Sequence, residues 1–212
     1  MNTDTCIVSV AFREPYVTHS KKQREAIYPD VSMIYFHDQL PMKGVVHTEN
    51  IVEEFQKSLY GFKPHAIQFA IDSGFKKVIW FDPSVLPTTS VQVLIDSLDT
   101  HPIIVRTGDA PLSKMCNKKA KDWFRVSDDL IKDVKHVGGT IYCFNFNDQK
   151  AVDVFNLWKR AEEEGIFQDQ DAFMKGDCWA DESAFALSLH SIGVPQYYEE
   201  KFTYANLKEL PA

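Results

Sequence analysis

The sequence lacks any apolar run near the roughly 20 residues that a helix needs to cross a bilayer. It carries Asp4 where a secretory signal needs basic residues, and the apolar run Cys6–Phe12 is too short for a signal core. These two absences predict a soluble protein that is not exported and is located in the cytoplasm.

Cysteine is scarce, and the four cysteines have no C-x-x-C spacing: Cys6, Cys116, Cys143 and Cys178. The spacing therefore matches none of the common zinc or redox motifs. Cys6 and Cys143 lie inside apolar, strand-like runs. We expect buried free thiols, which are typical of a reducing compartment.

Positive charge is also in deficit, with a formal net charge of −7 at pH 7. This charge argues against a generally cationic surface that binds nucleic acid or anionic membrane. Five cations with few acids between them are the local exception: Lys114, Lys118, Lys119, Lys121 and Arg125. Trp123 and Phe124 lie among them. The segment is either a solvated loop or a contact for an anionic polymer such as a phosphorylated glycan or DNA.

No glycine-rich phosphate loop of the G-x-G-x-x-G or P-loop kind is present, so neither a Rossmann dehydrogenase nor a P-loop NTPase is a natural interpretation. A nucleotidyltransferase would need a glycine-rich signature near the N-terminus, and residues 10–13 have none. Of the 212 residues in the chain, 44% are hydrophobic and 13% are aromatic. This length and composition indicate one ordered domain.

The stretch Lys77–Pro87 is the most informative. Apolar residues run into Asp82 and then Pro83, and because proline fixes φ and has no N–H, a strand should end at Asp82. In open α/β sheets, ligands bind beyond the carboxyl ends of the strands. Asp82 is therefore either a ligand-binding carboxylate or an acid that accepts hydrogen bonds in the following turn.

Strands and helices alternate along the rest of the chain. The predicted strands span residues 6–12, 31–37, 78–82, 102–106 and 138–145. The predicted helices span residues 49–59, 65–73, 91–99, 148–164 and 183–192, with Ser or Thr as the N-cap of the third. Residues 108–135 show the least regular pattern. This order predicts an α/β sandwich with a mostly parallel sheet.

Three features, in this order, resemble the GT-A class of nucleotide-sugar glycosyltransferases. The first is a Lys-Pro helix start, Lys63-Pro64, followed by the strand that ends at Asp82. The second is the strand Gly138–Asn145, which begins with two glycines. The third is the acidic pair Asp181-Glu182 at the start of an apolar helix. The resemblance covers residues 6 to about 195.

The resemblance implies a GT-A-like α/β/α sandwich with a mostly parallel central sheet, forming a single domain. Residues 1 to about 107 would be the donor half, and about 108–212 the acceptor and catalytic half. The implied function is transfer of a hexosyl or pentosyl group from a nucleotide-diphosphate sugar to a hydroxyl. Two alternatives stay open: a phage-type transferase that glycosylates hydroxymethylated DNA bases in the host cytoplasm, and a sugar-nucleotide-binding protein without turnover.

The resemblance also implies roles for particular residues. The donor would be bound by Ser9, Ala11, Arg13, Lys63, Asp82, Ser84, Gly138 and Gly139. The acceptor, a glycan or DNA, would contact Lys118, Lys119, Trp123, Arg125 and Trp179. Asp181 and Glu182 would be catalytic, since transfer to a hydroxyl needs a base near the acceptor oxygen. Without the resemblance, they are equally an ordinary acidic first turn of a helix.

The metal site departs from the family pattern. The family's Asp-x-Asp motif holds Mn²⁺ or Mg²⁺ against the donor phosphates, and here the triplet is Asp82-Pro83-Ser84. Either Asp82, Ser84 and water complete a weak site for the ion, or cationic side chains such as Lys63, Arg13 or Lys201 offset the phosphate charge. The first alternative is the expectation.

Overall fold

The computed structural model describes residues 2–12, 14–27, 31–37, 60–168 and 180–208. The strands are β1 (Asn2–Ala11), β2 (Val31–His37), β3 (Lys77–Phe81), β4 (Val85–Pro87), β5 (Ile103–Pro111), β6 (Lys135–Asn145) and β7 (Tyr204–Asn206). The helices are α1 (Tyr16–Ile27), α2 (Phe62–Asp72), α3 (Gln92–Ser97), α4 (Leu112–Met115), α5 (Lys118–Phe124), α6 (Asp128–Ile131), α7 (Gln149–Glu163) and α8 (Ala180–Ile192). A short 3₁₀ turn, Ile166–Gln168, follows α7.

Five strands form the central sheet in the order β2-β1-β3-β6-β5. The pairs β1–β2 and β1–β3 are parallel, whereas β6 runs antiparallel to both β3 and β5. Four of the five strands therefore point the same way, with β6 inserted in the opposite direction. The predicted mostly parallel sheet is confirmed.

The sheet separates two apolar cores. In β3, Val78 and Trp80 face the core that α2, α7 and α8 cover. Ile79 and Phe81 face the other core, to which α1 and α3 contribute. Because β3 is buried on both faces, it reads as a continuous apolar run, as expected for a central strand. The two cores confirm the predicted α/β/α sandwich.

A second, two-stranded sheet joins distant parts of the chain. β4 follows the turn after Asp82 and pairs antiparallel with β7. Just beyond β7, the backbone N–H of Leu207 donates to the carbonyl of Ser84 at 2.8 Å. Residues 204–208 are therefore held beside the carboxyl end of β3.

Several predicted elements need correction. Residues 108–135, predicted to be irregular, complete β5 and form α4, α5 and α6. α5 begins because the Asn117 side chain accepts a hydrogen bond from the Ala120 N–H at 2.7 Å. The predicted Ser or Thr cap of α3 is present, because the Ser90 hydroxyl accepts a hydrogen bond from the Gln92 N–H at 3.2 Å, while Val91 between them makes no side-chain bond. α8 starts at Ala180, three residues before the predicted start. The predicted helix 49–59 lies outside the described residues.

The thiol prediction is confirmed for Cys6, Cys116 and Cys143, which are free and buried. Burial raises the pKa of the Cys116 thiol to about 11. Cys178 lies outside the described residues. None of the helices in the described ranges has the length and apolar character needed to cross a membrane.

Candidate active site

A cavity of about 360 Å³ opens at the carboxyl ends of β1 and β3. We call it the main cavity. Its lining comes from six separate segments and includes Phe12, Tyr60, Lys63, Asp82, Gly139, Glu182 and Lys208. This is the position at which an open α/β sheet binds its ligands.

Asp82 is oriented by the turn that follows β3. Its Oδ1 atom accepts hydrogen bonds from the Ser84 backbone N–H at 2.9 Å and from the Ser84 hydroxyl at 2.6 Å. Ser84 itself is fully buried, whereas the Asp82 side chain is 22% exposed. Ser84 therefore fixes the carboxylate and does not itself line the main cavity.

Lys208, which follows β7, lies beside the same carboxylate oxygen. Its Nζ atom lies 3.5 Å from Asp82 Oδ1 and 5.0 Å from the centre of the Tyr16 ring. The Lys208 side chain is 42% exposed. It thus adds a solvent-accessible positive charge beside Asp82.

A buried ion pair lies behind the main cavity wall. Lys63 Nζ is 2.5 Å from Asp181 Oδ2, and the side chains are 7% and 0% exposed. Burial opposes the charge of Lys63, but Asp181 and Glu182 together raise the pKa of Lys63 above its ordinary value. Burial likewise raises the pKa of Asp181, and Lys63 offsets part of that effect.

Glu182 is the acid of the adjacent pair that faces the main cavity. Its Oε1 atom accepts a hydrogen bond from the Gly139 N–H at 2.6 Å, and Oε2 lies 2.9 Å from His136 Nε2. A Cβ atom at position 139 would lie 2.5 Å from Lys63 Nζ and 2.7 Å from Glu182 Oε1. A side chain at 139 would therefore have to displace the Lys63 ammonium and the Glu182 carboxylate from this close approach.

The side chains at the strand tip do not fit a divalent ion well. The tip offers one carboxylate, whose Oδ1 already accepts two hydrogen bonds and lies beside the Lys208 ammonium. The Ser84 hydroxyl donates its hydrogen to Asp82, and Ser84 is completely buried. Within the described ranges, no group of three or more His, Cys, Asp or Glu side chains could hold a metal ion. Of the expected Mn²⁺ or Mg²⁺ ligands, the strand tip therefore offers the Asp82 carboxylate without a second acidic side chain.

The structure brings together four of the predicted donor and catalytic residues at the main cavity: Lys63, Asp82, Gly139 and Glu182. Ser9 and Ala11 are instead completely buried, while their neighbours Val10 and Phe12 line the main cavity. This follows from strand alternation, because Ser9 and Ala11 point to the opposite face of β1. The nearest atom to a Cβ on Gly138 is 3.9 Å away, so no close approach occurs there. Arg13 lies outside the described residues.

The predicted acceptor residues on α5 lie elsewhere. Trp123 and Arg125 line a second cavity that includes Ser191, in the last turn of α8. Lys118 pairs with Asp122 at 2.5 Å, Lys119 donates to the Gly165 carbonyl at 2.6 Å, and the Trp123 ring N–H donates to Glu164 at 2.6 Å. Trp179 lies outside the described residues.

Lys208, His136 and Tyr60 are among the lining or adjacent residues to which the sequence assigned no role. Lys208 reaches Asp82 only through the pairing of β7 with β4, for which the sequence gives no signal. His136 precedes the glycine pair by two positions and could have been noticed on that basis. Tyr60 adopts the left-handed conformation (φ 64°), which no motif predicts.

No protein-family model matches the sequence, and no curated protein matches it. Mouse xyloside xylosyltransferase 1, solved in its apo form, is similar in structure, with a TM-score of 0.54 and 11% identity over 92% of this chain and 85% of the mouse chain. The galactosyltransferase LgtC, solved with donor and acceptor sugar analogues, gives a TM-score of 0.47 and 13% identity over 87% of this chain and 70% of that one. At these identities, similarity bears on the fold alone, and the fold of this chain is that of the GT-A glycosyltransferases.

Proposed function

We propose that this protein transfers a sugar from a nucleotide-diphosphate sugar to a hydroxyl acceptor, and that the reaction takes place in the main cavity. The observation that supports the proposal is the placement of Glu182. In a GT-A-like fold, its carboxylate lines the same cavity as Asp82, the acid at the tip of β3. A donor bound against the strand tips and an acceptor bound near α8 would therefore meet between these two side chains.

In the proposed reaction, the bond between the sugar C1 and the donor phosphate oxygen breaks, and a bond forms between C1 and the acceptor oxygen. The acceptor hydroxyl loses its proton to the Glu182 carboxylate, and the nucleoside diphosphate leaves with the electron pair of the broken bond. Glu182 suits the role of base because the Gly139 N–H and His136 hold both of its oxygens in place.

Asp181 has a different role in this proposal from that of its neighbour. Its side chain is completely buried, so it does not contact substrate. It holds the Lys63 ammonium in position, and Lys63 in turn lines the main cavity. Asp181 is therefore a positioning residue, and Glu182 is the catalytic one.

The division into two halves remains part of the proposal, with one refinement. Asp82 and Lys63 belong to the donor half, residues 1 to about 107, and Gly139 and Glu182 to the acceptor and catalytic half, about 108–212. Lys208 belongs to the second half by sequence but lies against the donor half, because β7 pairs with β4.

The acceptor is a hydroxyl compound, and no contact in the described residues favours DNA over a glycan. The cationic segment that suggested a polyanion forms α5, where Lys118, Lys119 and Lys121 each have a partner within the chain. For the donor, a pentosyl group is the first candidate to test, because the mouse neighbour is named as a xylosyltransferase.

The test combines binding with turnover. Thermal shift with UDP-xylose, UDP-glucose and GDP-, CMP- and dTDP-sugars, on the native protein and Asp82→Ala, measures donor binding. Release of nucleoside diphosphate, with Glu182→Gln as the inactive control, measures turnover. We expect one donor to stabilise the native protein but not Asp82→Ala, and Glu182→Gln to bind that donor without turning it over. Binding without any turnover by the native protein would instead indicate a sugar-nucleotide-binding protein, and no binding at all would contradict the proposal.

A further inference from the structure

We propose that Lys208 supplies the positive charge that binds the donor diphosphate at Asp82, so that donor binding at this site needs no divalent ion. This inference rests on the proposed function for the identity of its ligand, a nucleoside diphosphate group. It assigns a binding role to a residue that none of the sequence motifs contains.

The first support is the place of the ammonium. Lys208 Nζ lies 3.5 Å from Asp82 Oδ1. A divalent ion bound through either oxygen of this carboxylate would lie within a few ångströms of the ammonium, and two like charges so close together repel in a partly desolvated cavity. The ammonium is covalently tethered beside Asp82, so it disfavours a divalent ion there.

The second support is that one oxygen of the Asp82 carboxylate is already hydrogen-bonded. Asp82 Oδ1 already accepts both the backbone N–H and the hydroxyl of Ser84. A Mg²⁺ ion demands near-ideal octahedral coordination by oxygens, and Ca²⁺ or Mn²⁺ sites also draw on several oxygen ligands. An ammonium needs only one acceptor, and its two other N–H groups remain available for phosphate oxygens.

The third support is that Lys208 is held in place by backbone contacts. The Leu207 N–H donates to the Ser84 carbonyl at 2.8 Å, and the Lys208 N–H donates to Asn206 Oδ1 at 3.1 Å. The turn that orients Asp82 thus also anchors the residue next to Lys208. Tyr16 lies under the ammonium, with its ring centre 5.0 Å from Nζ.

The fourth support is a comparison of the two cations that line the main cavity in the described residues, Lys63 and Lys208. Lys63 is buried and paired with Asp181 at 2.5 Å. The Lys208 side chain is 42% exposed, and its Nζ atom lies 3.5 Å from Asp82 Oδ1, a longer distance than in the Lys63–Asp181 pair. A diphosphate entering from solvent would meet Lys208 at little desolvation cost, whereas Lys63 would first have to weaken a buried pair.

Calorimetric titration in EDTA tests the inference directly, with UDP, GDP and inorganic pyrophosphate as probes. We compare the native protein, Lys208→Gln and the control Lys150→Gln, which removes an exposed lysine at the start of α7, outside the main cavity lining. The native protein and Lys150→Gln are expected to bind pyrophosphate and one of the two nucleotides equally well. Lys208→Gln should bind about tenfold or more weakly, as for loss of a charge-assisted hydrogen bond.

A second variant, Lys208→Asp, places another carboxylate beside Asp82. We expect it to bind Mn²⁺, measured by the loss of the free-ion signal in electron paramagnetic resonance, and to bind pyrophosphate only when Mn²⁺ is present. The native protein should show neither property. Circular dichroism checks that each variant is folded.

Three results would overturn the inference: native protein that binds the probes only with Mn²⁺, Lys208→Gln that binds as well as native protein in EDTA, or no binding of any probe with or without the ion. Pyrophosphate carries no sugar, so these results are independent of turnover. Lys208-dependent binding without turnover of any donor would contradict the proposed transfer and leave this inference standing.

Discussion

The two ends of α8 differ in how their charges are arranged. At the first turn, Glu182 meets Gly139, His136 and Lys63, which come from distant parts of the chain. Near the last turn, α5 carries lysines that pair locally, Lys118 with Asp122 and Lys121 with Asp128. A helix of 13 residues is about 20 Å long, so these are separate places.

This comparison shows that a high density of charge in the sequence does not by itself identify a functional site. The lysines of α5 are conspicuous in the sequence, yet their partners are mostly exposed acids, and such pairs contribute little to stability. The cations of the main cavity are isolated in the sequence, and one of them is buried against an acid. Convergence of distant residues on a buried cluster is the stronger indication of function.

Changing the cavity-facing acid should have the largest effect. Glu182→Gln keeps the shape of the side chain and the acceptor for the Gly139 N–H, but it removes the base. We expect nucleoside diphosphate release to fall by about 10²–10⁴-fold, the usual contribution of a general base, with donor binding retained. Initial rates at saturating donor measure this.

Glu164→Gln is the matched control for that variant at the other end of α8. Glu164 accepts a hydrogen bond from Trp123 and lines the second cavity. The Glu164→Gln variant should release nucleoside diphosphate at the rate of the native protein. If Glu164→Gln and Glu182→Gln lost the same fraction of this rate, the two ends of α8 would not differ in function.

Breaking the buried pair should affect stability more than any change on α5. Lys63→Met leaves Asp181 buried without its partner, at a cost of about 3–5 kcal/mol in the free energy of unfolding. The pKa of Asp181, already raised by burial, should rise further. Because the folded state then binds the proton more tightly than the unfolded state, the variant should lose stability as pH rises above the ordinary range of a carboxyl.

Urea unfolding at several pH values measures this dependence. The double variant Lys63→Met with Asp181→Leu removes the isolated charge and should recover most of the stability at neutral pH. A single variant as stable as the native protein at every pH would show that the ion pair does not form.

The glycine pair offers a closely matched test within the main cavity. Gly139→Ala introduces a Cβ at 2.5 Å from Lys63 Nζ, whereas Gly138→Ala meets nothing nearer than 3.9 Å. We expect the first to cost about 1–3 kcal/mol, as for an overpacked site, and to lower activity. The second should leave thermal stability and activity close to native, so identical melting temperatures for both variants would contradict the described approach of Glu182 to the backbone.

The smallest effect is expected on α5. Replacing Lys118, Lys119 and Lys121 together by Gln breaks exposed pairs, and the rate should stay within about twofold of native because surface pairs contribute so little. Acceptor affinity should also be insensitive to salt. A large loss of acceptor affinity, together with a steep salt dependence, would instead support a polyanionic acceptor on this surface.

Much of the fold could be predicted where local signals are strong. β2 has the predicted bounds, and β3 ends beside Asp82 because Pro83 cannot continue it. α7 follows a clear helical period and ends within one residue of the prediction. The short helices α4 and α6 each have four residues, too few for a period to be visible. The direction of β6 depends on tertiary pairing and has no local signature.

The candidate site was predicted in part for the same reason. Asp82 follows the end of β3 and the pair Asp181-Glu182 lies in the first turn of α8, and such element ends leave a signal in the sequence. Gly139 lies inside β6, where the glycine pair itself was the signal. Which acid of the pair is buried depends on the rotation of α8 against β6, and this is a property of packing. Lys208 could not be predicted, because its position depends on contacts between segments remote from each other in the sequence.

The pairing of β4 with β7 also has a consequence for the dynamics of the protein. Each of the two strands has three residues, and their pairing closes the long stretch of chain between them. Closing so long a loop has a high cost in chain entropy, so we expect this contact to form late in folding. We expect the amide hydrogens of β4 and β7 to exchange with solvent sooner than those of β1 and β3. A ligand that bridges Asp82 and Lys208 would slow this exchange, so that one wall of the main cavity becomes ordered as its occupant arrives.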